Sequence, residues 1–318
     1  MQQKQFTMRK VIGLGETIMD IIFQGEQPTA AVPGGSSFNS IISIGRCGIP
    51  AVFIGETGKD EVGQRIARFL RENHVQDDYL NMREDIKSAL SLAFLNENND
   101  ANYLFYKQQP VCDAYAPYPV VETGDIIQFG SFYAISSGTR DFMKTFLSYA
   151  NQQNAILYYD LNFRRSHQHE LDQLLPVIHE NFRLTDIVRG SADDFDIMYG
   201  SRHAETIYKE HIAPYCPIFI CTHGGEGITV CTPDDTLHFS VPTIQTVSTI
   251  GAGDNFNAGF IYGMIKYGIR KENLMTLSHE EWERLINCGK QFAANVCASV
   301  HNSVDVEFGK MMQKELLG

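Results

Sequence analysis

The stretch whose reading decides the fold is Ser248-Thr249-Ile250-Gly251-Ala252-Gly253-Asp254-Asn255-Phe256-Asn257-Ala258-Gly259-Phe260-Ile261. Glycines on either side of Ala252 free the backbone for a tight turn, and Phe256, Phe260 and Met264 with Ile261 and Ile265 follow at the spacing of a buried helix. A loop therefore feeds a helix whose first N–H groups have no intrahelical partner. Those donors, with the positive end of the helix dipole, make a place for anionic oxygens. Asp254 stands at its mouth, where a carboxylate can take a proton from a hydroxyl while amides steady the charge moving onto a transferring phosphoryl group. The same residues also suit an ordinary turn with an Asp N-cap. The rest of the chain has to decide between the two.

A chain of 318 residues can build one large α/β domain or two smaller ones. The net charge of −12 argues against a nucleic-acid partner, which needs clustered Lys and Arg. It leaves ATP open, since backbone amides can hold phosphates. Seven scattered cysteines without a Cys-x-x-Cys pair suit reduced thiols of a cytoplasmic protein better than disulfides or zinc. The polar start over Met1 to Lys10 is neither a signal peptide nor an anchor, and no apolar run reaches the roughly 20 residues that span a bilayer.

Short apolar strands are expected over Lys10 to Gly15, Ile18 to Phe23, Ala51 to Ile54, Ile126 to Phe129, Ala155 to Tyr159, Ile187 to Arg189 and Ile218 to Cys221. Helices are expected after Pro33-Gly34-Gly35, through Glu72, over Arg140 to Gln153, over Asn255 to Tyr267 and from about Glu280 to Val300. Apolar strands alternating with helices indicate a three-layer α/β fold, a doubly wound, mostly parallel sheet covered on both faces. Runs over Ala89 to Leu95 and Tyr103 to Tyr106 flank the turn-like Asn96-Glu97-Asn98-Asn99-Asp100, which reads as a hairpin. A dinucleotide-binding dehydrogenase is disfavoured, because Gly13-Leu14-Gly15 lacks the further glycine at the required spacing.

Ser248 to Ile261 resembles, at every constrained position, the C-terminal signature of the ribokinase or PfkB sugar kinases. That resemblance implies a ribokinase-like fold of one domain over residues 1–318, with a small β-sheet lid from about 16–33 and 88–110. It implies an ATP-dependent sugar kinase with Asp254 as base and Gly251, Ala252 and Gly253 as the anion hole. Asp20, Gly34, Gly35 and Asn39 resemble the family's sugar site, although Ser37 and Ile41 depart from its small residues. Asp160-Leu161-Asn162-Phe163-Arg164 resembles the Asp-x-Asn-x-Arg element beside the transfer site, which implies Asn162 on the sugar and Arg164 on phosphate or substrate, although Arg164 also suits a solvated arginine next to Arg165. Tyr106 and Lys107 stand where many relatives carry tyrosine and an arginine that meets the sugar. Lysine makes a bidentate carboxylate clamp less available.

Thr222, Gly224 and Gly227 resemble the Thr-x-Gly-x-x-Gly nucleotide loop, and Ser191 and Asp194 stand where relatives have Asn-x-x-Glu near magnesium. Asp194 also suits a first helical turn, and His167 and His169 suit a bland polar loop. Magnesium is expected through ATP phosphates and water rather than direct protein ligands. Ser248 replaces the aspartate that helps hold potassium in many relatives, which argues against a potassium requirement. The resemblance points first to a fructokinase, then to a 2-keto-3-deoxygluconate kinase or ribokinase. From another class, a catalytically silent sugar- or nucleotide-binding regulator fits the same pattern. Relatives also imply a homodimer paired through the lid.

Overall fold

The computed structural model describes residues 8–95, 101–113 and 115–318, and the expected turn over Asn96 to Asp100 lies outside them. The chain begins with β1 (Val11–Leu14), β2 (Ile18–Gln24), β3 (Gln27–Gly34), α1 (Ser36–Arg46), β4 (Ala51–Gly58), α2 (Glu61–Glu72) and β5 (Val75–Arg83). It continues through β6 (Leu90–Leu95), β7 (Ala101–Tyr106), β8 (Ile126–Gly130), α3 (Arg140–Gln152), β9 (Ile156–Asp160), α4 (Leu171–Leu184) and β10 (Ile187–Ser191). It ends with α5 (Ala192–Tyr199), α6 (Ala204–Ile207), β11 (Ile218–Thr222), β12 (Ile228–Cys231), β13 (Thr236–Phe239), α7 (Ala252–Lys266), α8 (His279–Cys297) and α9 (Val306–Leu317).

A nine-stranded sheet has the order β13-β12-β11-β10-β9-β8-β1-β4-β5. It is parallel from β11 to β5 and antiparallel at the β11-β12-β13 edge. Alternate residues of its strands enter different cores, because side chains of a strand point to opposite faces. In β9, Ile156 and Tyr158 join one core while Leu157 and Tyr159 join the other. The first core is closed by Phe38 of α1, Ile66 of α2, Phe260 of α7, Phe292 of α8 and Met312 of α9. The second is closed by Phe146 of α3, Phe182 of α4, Phe195 of α5 and Ile207 of α6. The expected three-layer α/β sandwich is thus present, with near-continuous apolar strands because both faces are covered.

A smaller sheet of order β3-β2-β6-β7 stands apart from it, with β2 and β6 parallel and the two outer pairs antiparallel. Strands β5, β12 and β13 and helices α4 and α9 escape a reading by apolar runs. In β5 only Val75 and Leu80 are buried among polar neighbours. Helix α7 also starts earlier than expected, at Ala252, because Gly251 takes φ 75° and serves as its N-cap.

Strand order reverses between β8 and β4 on either side of β1. Open parallel sheets hold ligands beyond the carboxyl ends of strands at such a switch. Here those ends lead into Gly15-Glu16, Ser131, Leu161-Asn162, Ser191 and His223. The small sheet stands above the same edge through Asp20 and Lys107, which line a cavity there.

Candidate active site

Asp254 occupies the first turn of α7 and is held there by the start of α1. Ser36 Oγ donates to its Oδ1 at 2.8 Å, and Asn39 Nδ2 donates to its Oδ2 at 2.8 Å. Ser40 Oγ donates to the Asp254 main-chain carbonyl at 2.6 Å and accepts from Gln128 Nε2 at 2.8 Å. The two helix starts are therefore tied by side chains and backbone together. Burial pushes the Asp254 carboxyl up to about 6, the Asn39 and Ser36 bonds pull it down, and the charge on Asp160 pushes it up. A carboxyl near 6 is partly to fully ionised at neutral pH and basic enough to accept a proton.

The amides of Gly253 and Asp254 fall in the turn whose N–H groups lack intrahelical acceptors. Ala252 does not share that freedom: its N–H is engaged by Thr249 O at 3.2 Å inside the turn. Of the amides expected over Gly251 to Gly253, that of Ala252 is thus already taken within the turn.

Arg189 supplies the positive charge that reading the sequence missed. Its Nη1 donates to Asp160 Oδ1 at 3.0 Å and its Nη2 to Thr222 Oγ1 at 2.7 Å. Asp160 Oδ2 accepts Asn257 Nδ2 at 2.8 Å, and Tyr158 OH donates to Asn257 Oδ1 at 2.9 Å. Burial works against the Arg189 charge, yet Asp160 outweighs it and holds the guanidinium firmly protonated. A Cβ on Gly253 would stand 3.0 Å from Arg189 Nη1, so this glycine lets the cation lie against the start of α7. The signal in the sequence was an arginine inside the apolar run Ile187-Val188-Arg189, since arginine is almost never buried without a partner.

Three cavities meet at this point. One of about 220 Å³ is lined by Asp20, Gly35, Asn39, Asn162, Arg164 and Asp254, among others. A second of about 480 Å³ carries Arg164, Arg189, Ser191, Asp194, Thr222, Gly251, Gly253 and Asp254. A third of about 370 Å³ lies between α7 and α8, lined by Ala252, Phe256, Ala293, Ala294 and Cys297 with Thr222, Gly224 and Gly225. Asp254 belongs to the first two and Gly253 to the last two.

On the first cavity, Asp20 accepts Ser91 Oγ on Oδ1 and Asn302 Nδ2 on Oδ2, the latter at 3.0 Å. Burial raises its carboxyl, and those two bonds pull it down. Gly34 lies behind this group, where a Cβ would come within 2.6 Å of Asp20 Oδ2. Gly35 has φ 134°, and a Cβ there would strike Glu16 O at 2.2 Å. Lys107 Nζ is ion-paired to both Glu16 oxygens at 2.8 and 3.0 Å and lies 5.2 Å from the Phe132 ring centroid. Arg164 is exposed, and its side chain makes no ion pair or hydrogen bond among the described residues.

Two expected contacts move. Tyr106 is 57% exposed and does not line the cavity, because strand alternation turns Phe105 and Lys107 to that side instead. Gly227 does not line the third cavity, where Gly224 and Gly225 do: at φ 134° its carbonyl accepts the His223 N–H at 2.9 Å, closing the turn. His167 stacks on Phe132 with ring centroids 4.1 Å apart and lines the first cavity, so it is more than a bland loop residue. Ser191 and Asp194 form a reciprocal capping box on α5, with Asp194 N to Ser191 Oγ at 3.2 Å and Ser191 N to Asp194 Oδ2 at 2.7 Å. Asp194 still lines the middle cavity, and burial pushes its carboxyl up to about 6.

Residues 8–306 match the model of the pfkB family carbohydrate kinases. The chain belongs to that family. It is 24% identical over 260 residues to an aminoimidazole riboside kinase of Salmonella typhimurium, covering 80% of this chain and 81% of that protein. It is 23% identical over 292 residues to a fructokinase of Escherichia coli, covering 90% of this chain and 92% of that one. Its fold superimposes with a TM-score of 0.83 on a Vibrio cholerae fructokinase double mutant with fructose, ADP and potassium ion bound, at 19% identity over 94% and 95% of the two chains. This PfkB chain is accordingly a carbohydrate kinase, a phosphotransferase of ribokinase-like fold. Among the described residues no helix is long and apolar enough to cross a membrane.

Proposed function

We propose that this PfkB kinase transfers the γ-phosphoryl group of ATP to a hydroxyl of an uncharged sugar of the fructose type, with Asp254 as the base. The observation that carries the reading is that Asp254 is shared by the sugar-side and middle cavities. A hydroxyl bound among Asp20, Asn39 and Asn162 meets Asp254 on one side, and the phosphoryl group reaches it from the other. The Gly253 and Asp254 amides and the Arg189 charge oppose the negative charge that develops in transfer. The apolar cleft between α7 and α8 takes the adenine, with Thr222 and Gly224 toward the phosphates. The small sheet acts as a lid that keeps water from ATP.

Among the described residues no three His, Cys, Asp or Glu side chains gather to hold an ion. Magnesium would be held by ATP phosphates and water, with the buried Asp194 carboxyl on the same wall, and it supplies charge neutralisation to the phosphates. Potassium does not fit as well. Ser248 brings no charge, and its Oγ accepts the Ile250 N–H at 3.2 Å.

An uncharged sugar is favoured over a sugar acid because Glu16 already neutralises Lys107. Phe94, Leu104 and Tyr106 of the small sheet are 40%, 49% and 57% exposed, and a second copy of the chain would cover them in a homodimer. Light scattering on the purified protein tests that point by its mass.

Function is tested by ADP release from ATP and magnesium against fructose, ribose, tagatose, 2-keto-3-deoxygluconate and aminoimidazole riboside, with and without potassium. Turnover of a neutral sugar without potassium is the expected result. Silence on the whole panel with ATP still bound would favour a binding regulator instead.

A further inference from the structure

Asn302 joins two parts of the site that lie far apart in sequence. It is 3% exposed and lines the sugar-side cavity. Its main-chain carbonyl accepts Asn255 Nδ2 at 2.8 Å and sits beneath Gly251, where a Cβ would approach it to 2.9 Å. Its side chain reaches the other way and donates Nδ2 to Asp20 Oδ2 at 3.0 Å. A carboxylate only accepts, so the amide nitrogen must face Asp20 and Oδ1 must face elsewhere. That Oδ1 is buried and has no hydrogen-bond partner among the described residues.

A buried acceptor without a donor is uncommon and unfavourable, and it calls for an explanation. Asp20 does not provide one, since it is itself an acceptor that already holds Ser91 and Asn302. A ligand does. A sugar hydroxyl is both donor and acceptor, so it can satisfy a carbonyl oxygen that a carboxylate or phosphate group would repel.

We infer that Asn302 is a sugar-recognition residue whose Oδ1 accepts a hydrogen bond from one substrate hydroxyl, alongside the hydroxyl held by Asp20. The inference rests on reading this cavity as the sugar site and adds to it a requirement for a donor at a second position. Because the carbonyl of the same residue supports Gly251, a missing hydroxyl reaches the anion-hole loop as well as the binding pocket. Both kcat and KM carry the effect.

The experiment compares kcat/KM of the wild type and Asn302→Ala on fructose, ribose and their monodeoxy analogues, with the KM for ATP measured in parallel. Asn302→Ala is expected to lose about tenfold to a hundredfold on the preferred sugar. Because the variant also loses the Nδ2 bond to Asp20 on every sugar, the loss is expected to be clearly smaller on the single analogue that lacks the hydroxyl read by Oδ1, with the KM for ATP unchanged. An equal loss on every sugar and analogue, or no loss on any, overturns the inference. If the alanine variant does not fold, Asn302→Ser keeps a small polar group in the turn and is read by the same pattern. A wild type that turns over none of the sugars overturns the cavity assignment and this inference with it, and the wild-type measurements alone reveal that case.

Discussion

Asn39 Nδ2 donates to Asp254 Oδ2 at 2.8 Å, joining the first helix to the start of the seventh across 215 residues of chain. After burial, this bond has the largest influence on the Asp254 carboxyl, and it favours the ionised form. The proposed base then titrates at about 6 in the free enzyme. The profile of kcat/KM should fall below that pH and level off above it, because it reports the free enzyme's groups. Asn39→Ala should move the acid limb to higher pH. Asp194 also titrates at about 6, so the limb must survive in Asp194→Asn if Asp254 is its source. A limb that disappears in Asp194→Asn would assign it to the wrong carboxyl.

Both carboxyls are raised by burial, which fixes the sign of their contribution to stability. A raised carboxyl favours the folded state only while protonated, so its help is complete below about pH 4 and is lost as pH rises through about 6. Asp254→Asn cannot ionise. Its melting temperature should therefore exceed that of the wild type at pH 8, with the difference closing below pH 4. Thermal melts at both values check this, and a variant less stable at pH 8 than at pH 4 relative to wild type contradicts it.

The sequence was legible where residue type alone dictates geometry. The glycines around Ala252 announced the tight turn, though not that α7 begins already at Ala252, and Ile156 to Tyr159 had to be buried on both faces of a parallel sheet. Arg189 was not legible as a site residue, because its meaning depends on Asp160 and Thr222, which reach it from neighbouring strands. Asn302 was hidden for the same reason, meeting Asp20 across 282 residues. Tyr106 and Gly227 fell to local geometry, strand alternation in one case and turn closure in the other. Periodicity reports which side of an element is covered, whereas partners distant in sequence are settled only by topology.

The Lys107 to Glu16 pair makes a prediction about charge selectivity. Both side chains are about a quarter exposed or less, at 25% and 21%. Glu16→Gln keeps the shape and frees the ammonium for a substrate carboxylate. The ratio of kcat/KM on 2-keto-3-deoxygluconate to that on fructose should rise about tenfold in this variant, the scale of a hydrogen bond to a charged group. An unchanged ratio would mean that Lys107 does not face the substrate.

The central claim is that Asp254 removes a proton during transfer, rather than holding the site together. Turnover and ATP binding of Asp254→Asn, measured on the same preparation against the wild type, separate the two roles most directly. Loss of turnover by at least about 100-fold with ATP affinity retained is the predicted result. Turnover at the wild-type rate would contradict the account.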